Sequence, residues 1–178
     1  MTKAIKKDYL KQLHQMITGF QIRAAKGTLG LTAKDIADTI SIHPCTIIRL
    51  CNTKNMEYLS CNVKNLVLIQ NYFNNMSIIF PTKDSISLIS DLEPFDSPNK
   101  MTAFQLKAAR IATNLTQEKL SNLIKISSST LSILENLNSK EYIESYKINI
   151  PILKKFFKHI GIIFPNDLTV TLIKDPFI

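Results

Sequence analysis

The sequence predicts a mainly α protein built from two tandem units, each of four helices followed by a short β-hairpin. Three observations carry this. The tetrapeptide IIFP occurs at Ile78–Pro81 and again at Ile162–Pro165, 84 positions apart. At that offset residues 18–89 lie over 102–173 without a gap, and 22 of 72 positions are identical, too many for coincidence and the mark of an internal duplication. Within each copy apolar residues recur at helical spacing, until the final segment changes to short β-branched runs.

Four segments follow: 1–17, an N-terminal basic amphipathic helix; 18–89, the first unit; 90–101, a linker; and 102–173, the second unit. In the first segment Ile5, Tyr9, Leu13 and Met16 fall at helical spacing. Its Lys3, Lys6, Lys7 and Lys11 suit a phosphate-touching arm and a solvated helix face equally well. The stretch SDLEPFDSPNKM holds two prolines among polar residues, as connecting segments do.

Each unit opens with a threonine followed by an FQ-containing apolar run, so Thr18 and Thr102 are expected N-caps whose hydroxyls satisfy an orphan amide. A short second helix follows. In LTQEKLSNLI it is capped by Thr116 with Leu120 and Leu123 facing inward, and in LTAKDIADTI Thr32 and Asp35 stand at capping-box spacing. After a brief break comes a third helix, ISSSTLSILEN over 126–136 and IHPCTIIRLCN over 42–52. Ser127 is its expected cap in the second copy, and Pro44 sits in the first turn, where a missing N–H costs nothing. The fourth helix is expected from Asn65 to about Met76 and from Asn149 to about Ile160, each beginning at an asparagine cap, with Pro151 tolerated in the first turn. Its Tyr72-Phe73 and Phe156-Phe157 pairs lie at core spacing.

The closing runs SIIFPTKDSISLI and GIIFPNDLTVTLI read as hairpins. A lone two-stranded hairpin is marginal in water, so the two are expected to pair into a small sheet or each to add to a partner chain through its edge, giving a homodimer.

Composition narrows the function classes. Apolar residues make up 45% of 178, which is enough for a packed core and too many for a disordered chain. No apolar run approaches a membrane span and no secretory signal is evident, so no membrane association is expected. Cys45, Cys51 and Cys61 are odd in number without CxxC spacing, as reduced thiols in a cytoplasm would be. His43, Cys45 and Cys51 lack metal-ligand spacing, so neither a metal nor another cofactor is expected. No GxGxxG, P-loop, HExxH or GxSxG pattern appears, and the chain is not expected to be an enzyme. The net charge of +8 points toward a polyanion.

Two short helices joined by a tight turn, the second starting on small polar residues, make a helix-turn-helix. The stretch FQLKAARIATNLTQEKLSNLIKISSSTLSILEN resembles the phage-repressor-like, Cro/Xre-type family of DNA-binding domains through its L-T-Q-E-K-L opening, S-S-S-T third helix and closing L-E-N. The resemblance covers both copies and is stronger in the second. It implies a cytoplasmic, sequence-specific transcriptional regulator, for instance a repressor, that binds double-stranded DNA by promoter occupancy and presents a surface to RNA polymerase or another regulator. Carried over, Thr116 and Gln117 would touch phosphate. Ser128, Ser129 and Ser132 would face base edges, Asn136 would also belong to the DNA-binding surface, Ser127 and Thr130 would shape the helix start, and Glu135 would pair with Arg110 as a structural tie. In the first copy the corresponding positions include Thr32, Lys34, His43, Thr46, Arg49 and Asn52.

The first copy departs from the pattern. Ala33 and Cys51 replace the glutamine and glutamate, and Pro44, Cys45 and Ile48 stand where base-reading side chains belong. Only Arg49, Asn52 and His43 remain polar there, and the second copy's third helix has no Arg or Gln for bidentate base contact. The rival expectation is therefore a protein-binding adaptor, anti-activator or antitoxin-like, using the same helices as a docking surface.

Overall fold

The computed structural model describes residues 16–91, 93–144 and 148–175. It is helix-rich, with eight α-helices among those residues and one four-stranded antiparallel sheet. In chain order these are α1 (Gly19–Thr28), α2 (Ala33–Ile40), α3 (Pro44–Cys51), α4 (Val63–Asn75), β1 (Ile78–Ile79) and β2 (Ser85–Leu88). The same succession returns as α5 (Ala103–Ala112), α6 (Gln117–Ile124), α7 (Ser128–Asn136), α8 (Ile150–His159), β3 (Ile162–Ile163) and β4 (Thr169–Leu172). No helix among the described residues is long and apolar enough to cross a membrane.

Short polar side chains set the helix starts. Thr18 and Thr102 cap α1 and α5 in reciprocal boxes with Gln21 and Gln105, whose Oε1 atoms accept the cap amides at 2.9 and 3.0 Å. Thr32 and Asp35 form the same box on α2, while Thr116 caps α6 and Ser127 caps α7. Pro44 opens α3 behind a His43 cap, and Pro151 lies in the first turn of α8 behind Asn149. The α4 start differs from expectation. Asn62 is the cap, its Oδ1 accepting the Asn65 amide at 2.8 Å, so α4 begins a turn earlier than its counterpart. Pro151 pins the start of α8, and Val67 imposes nothing comparable on α4.

The predicted N-terminal helix lies outside the described residues except for Met16 and Ile17, and these are not helical. The extended backbone of the Thr18 cap separates them from α1; Ile17 is buried and Met16 exposed.

The FQ repeat acquires a reason in the tertiary structure. Gln21 Nε2 donates to the carbonyls of Thr82 and Ser85, and Gln105 Nε2 to those of Asn166 and Thr169. Each hairpin turn is thereby bolted to the first helix of its own unit. The amides opening α1 find acceptors after the third helix, Gly19 N on Glu57 O and Phe20 N on Asn55 O. Ala103 on Glu141 and Phe104 on Ser139 repeat this in α5. At Gly19 a Cβ would stand 2.2 and 2.3 Å from the Thr53 and Lys54 carbonyl oxygens, which are backbone and cannot swing away. Gly19→Ala should therefore cost about 1–3 kcal/mol despite the better helix propensity of alanine, as urea unfolding would measure.

The two hairpins do pair into one sheet, in the order β1-β2-β4-β3. Its centre is the antiparallel pair Ile86·Val170, flanked by Ser85·Thr171 and Ser87·Thr169. Ile86 and Val170 are the same position in the two copies, so the pairing creates a pseudo-two-fold axis. The hydrogen bonds obey it: Leu88 N reaches Leu168 O at 3.0 Å and Leu172 N reaches Asp84 O at 2.8 Å. The first helices obey it too. α1 packs on α5, and the Gly27 backbone lies against the side chain of Ile111, again one position in two copies. Both units thus share one continuous core, with Phe20, Phe73, Phe104 and Phe157 fully buried.

The linker is strapped to the second unit. Phe95 and Asp167 exchange hydrogen bonds of 2.9 Å, and Lys154 Nζ donates to Ser97 O at 2.6 Å. Met101, its last residue, is buried in the core. Tyr142 donates to Asp167 Oδ2 at 2.6 Å, a bond that leads in pushing its hydroxyl up to about 12.

Candidate nucleic-acid interface

The second and third helices of each unit present the residues singled out from sequence. In the second unit α6 runs into α7 through Lys125, which holds a left-handed backbone (φ 56°); Ser41 does the same between α2 and α3 (φ 55°). These single left-handed residues turn the chain sharply enough for α7 to pack against α6.

The start of α7 is at the surface. Ser127, Ser128 and Ser129 are exposed, and Thr130 and Ser132 are half-buried. Ser127 Oγ accepts the Thr130 amide at 3.0 Å and lies 2.8 Å from Ser129 Oγ and 2.7 Å from Thr130 Oγ1. Ser128 Oγ lies 2.9 Å from Ser121 Oγ of α6. A hydroxyl both donates and accepts, so these contacts orient the run and leave capacity for an incoming ligand.

Under this surface is a buried ionic knot. Glu135 is 4% exposed; its carboxylate receives Arg110 Nε at 2.5 Å and Nη2 at 2.7 Å, a bidentate pair from α5. Gln117 Nε2 adds a third donor at 2.9 Å, and Arg110 Nη1 closes the network on Leu115 O at 2.8 Å. The expected Arg110–Glu135 tie is present. The part of Gln117 in it was not foreseen, because the resemblance assigned that side chain to phosphate. Thr116 remains exposed at the N-terminus of α6, its Oγ1 accepting the Lys119 amide at 3.1 Å.

The first unit lacks the knot. Cys51 occupies the glutamate position, and burial pushes its thiol up against the pull of Lys26 and Arg23, so it supplies no anion there at neutral pH. Lys26, at the position of Arg110, keeps only the carbonyl bond, to Leu31 O at 3.4 Å. Arg23 ties the end of α3 instead, donating to the carbonyls of Cys51 and Thr53 and to Asn55 Oδ1. Thr32, Lys34, His43, Arg49 and Asn52 are exposed and Thr46 is half-buried. His43 Nδ1 accepts the Cys45 amide at 3.2 Å, and Arg49 Nη1 donates to Ser60 O at 3.0 Å. Asp35 accepts the Thr32 amide at 2.7 Å, and its hydrogen bonds to Thr32 hold its carboxyl below the usual carboxylate range. A carboxylate thus already sits at the N-terminus of α2, where the second unit has Lys119.

Asn52 and Asn136 are set apart from the helix starts, at the far ends of α3 and α7. They line two crevices between the units, related by the pseudo-axis. The crevice with Arg23, Cys51 and Asn114 measures about 430 Å³ and its twin with Lys107, Glu135 and Leu137 about 130 Å³. Leu123, expected inward, is 52% exposed. The inward stripe of α6 is Leu120 and Ile124, and the duplicated position carries Thr39, a polar residue that betrays the outward orientation. Scans against protein-family models and searches of curated proteins and of solved structures find no match.

Proposed function

We propose that the protein is a sequence-specific transcriptional regulator of the Cro/Xre-like kind that binds duplex DNA in the cytoplasm and acts by promoter occupancy. Each four-helix unit is then a helix-turn-helix head. The observation that carries this is the start of α7, an exposed run of hydroxyls on a helix anchored from behind by the Arg110–Glu135–Gln117 knot. Such a helix can enter a major groove without reorganising, and its serines can donate to or accept from base edges. The N-terminus of α6 offers backbone amides, the Thr116 hydroxyl and the Lys119 ammonium to a phosphate, with Glu118 in the same turn. Both helix starts carry one lysine and one acid, Lys34 and Asp35 on α2, but Asp35 already takes the Thr32 cap amide, which leaves α2 one donor fewer for a phosphate and gives the second unit the larger share of that contact.

Titrating the protein against fluorescent duplexes tests the reading. Affinity for a preferred sequence should fall about 10³-fold between 50 and 200 mM salt if roughly six phosphates are neutralised. Ser129→Ala should reduce discrimination between sequences while leaving the melting temperature unchanged, because the side chain is exposed. No preference over random duplex at moderate salt would reject the reading. The adaptor alternative draws on Cys45 and Ile48, which lie exposed on α3, and a stoichiometric protein complex without any DNA shift would favour it.

A further inference from the structure

The pseudo-two-fold axis has a consequence for what the two heads bind, and it rests on the DNA-binding reading just given. We infer that one chain, acting as a built-in dimer, reads an imperfect inverted repeat whose half-sites differ, the half under α3 carrying a thymine that meets Ile48 where α7 presents Ser132.

The axis runs through the self-equivalent pair Ile86·Val170 in the sheet and the self-equivalent contact Gly27·Ile111 between the first helices. The crevices beside the ends of α3 and α7 are exchanged by it. Two heads related by a two-fold rotation match the local dyad of B-DNA, which relates the halves of an inverted repeat; a direct repeat would need heads related by translation along the duplex. The shared core holds the heads in this relation, so they cannot rotate independently to suit a direct repeat. The usual reason for a second chain is absent, because the symmetric partner is already covalently attached.

The halves differ because the surfaces the heads present differ. In equivalent order α3 offers Pro44, Cys45, Ile48, Arg49 and Asn52, and α7 offers Ser128, Ser129, Ser132, Ile133 and Asn136. Ile48 is 50% exposed. The only apolar group on a major-groove base edge is the thymine C5-methyl, so an isoleucine there favours thymine and penalises edges whose polar atoms it would bury unpaired. Serine hydroxyls accept either role and tolerate more sequences. α7 also exposes an isoleucine, Ile133 at 54%, but at the place of Arg49, so the two halves meet their apolar contact at different steps.

The test is selection of preferred sites from a pool of random duplexes by the full chain, followed by footprinting and a mass measurement of the complex. The expected winner is an imperfect inverted repeat with half-site centres about 10 base pairs apart, bound by one chain. Replacing thymine by uracil in the α3 half-site deletes the methyl and should weaken binding about fourfold. That loss should vanish in Ile48→Ala and persist in Ser129→Ala, with thermal melts showing both variants folded. A direct repeat, a lone half-site, two chains per repeat, or a uracil effect that survives Ile48→Ala would overturn the inference while leaving DNA binding standing. A pool from which nothing is enriched would overturn both.

Discussion

Replacing Glu135 by alanine should destabilise the protein by about 3–5 kcal/mol, because it strands a charge the fold has already desolvated. The Arg110 side chain is 14% exposed and points two of its nitrogens at that carboxylate. Without it the guanidinium keeps only the Leu115 carbonyl, and the Gln117 amide loses its acceptor as well. For a chain of this length the melting temperature should fall by roughly 6–20 °C. Cys51→Ala at the matching position removes a half-buried neutral thiol and should cost about 1 kcal/mol or less. A Glu135→Ala protein within about 1 kcal/mol of the parent would mean that the knot does not stabilise the fold. If it does, the start of α7 should also loosen, and amide exchange there would report it.

Placing aspartate at position 170 should be at least as damaging. Val170 is fully buried opposite Ile86 at the centre of the shared sheet, within the hydrophobic core. An unpaired buried charge there costs several kcal/mol and opens the joint on which both hairpins depend. Val170→Ala, which only shortens the side chain, should cost about 2 kcal/mol and keep the variant measurable if the aspartate form does not fold. Because the two units share a core, the parent should unfold in one transition, seen alike by far-ultraviolet circular dichroism and by near-ultraviolet tyrosine signals. Two separated transitions would show that the sheet does not couple the units.

Much of the fold was legible because it is governed locally. A threonine or serine before an apolar-periodic run reports a cap through the geometry of its own hydroxyl, and Thr18, Thr102, Thr116 and Ser127 all cap as expected. Pro44 and Pro151 sit where a missing N–H does no harm. The misplacements also have local causes. Asn65 resembled Asn149 by alignment, yet only the second copy carries a proline two residues on to stop the helix from starting earlier. Leu123 has helical spacing but lies just off the narrow stripe that α6 buries.

The candidate interface divides in the same way. That Ser127–Thr130 would head an exposed helix, and that Glu135 would meet Arg110, followed from residue types and from the family resemblance. That Gln117 turns inward to the same carboxylate did not, because the choice between a buried acceptor and solvent depends on where α5 and α7 come to rest.

What the amino-acid order determined alone was the duplication, the kind of each described element and most of the caps that begin them, Asn62 of α4 excepted, since these rest on contacts spanning a few residues. What only the tertiary structure decided was the antiparallel meeting of β2 with β4 at Ile86·Val170, and with it the pseudo-two-fold arrangement of the units. Two equivalent hairpins carry the same backbone edge groups whether they pair with each other or with another chain. The choice is made by the burial of α1 against α5 and the core they close together, an energy summed over residues far apart in sequence.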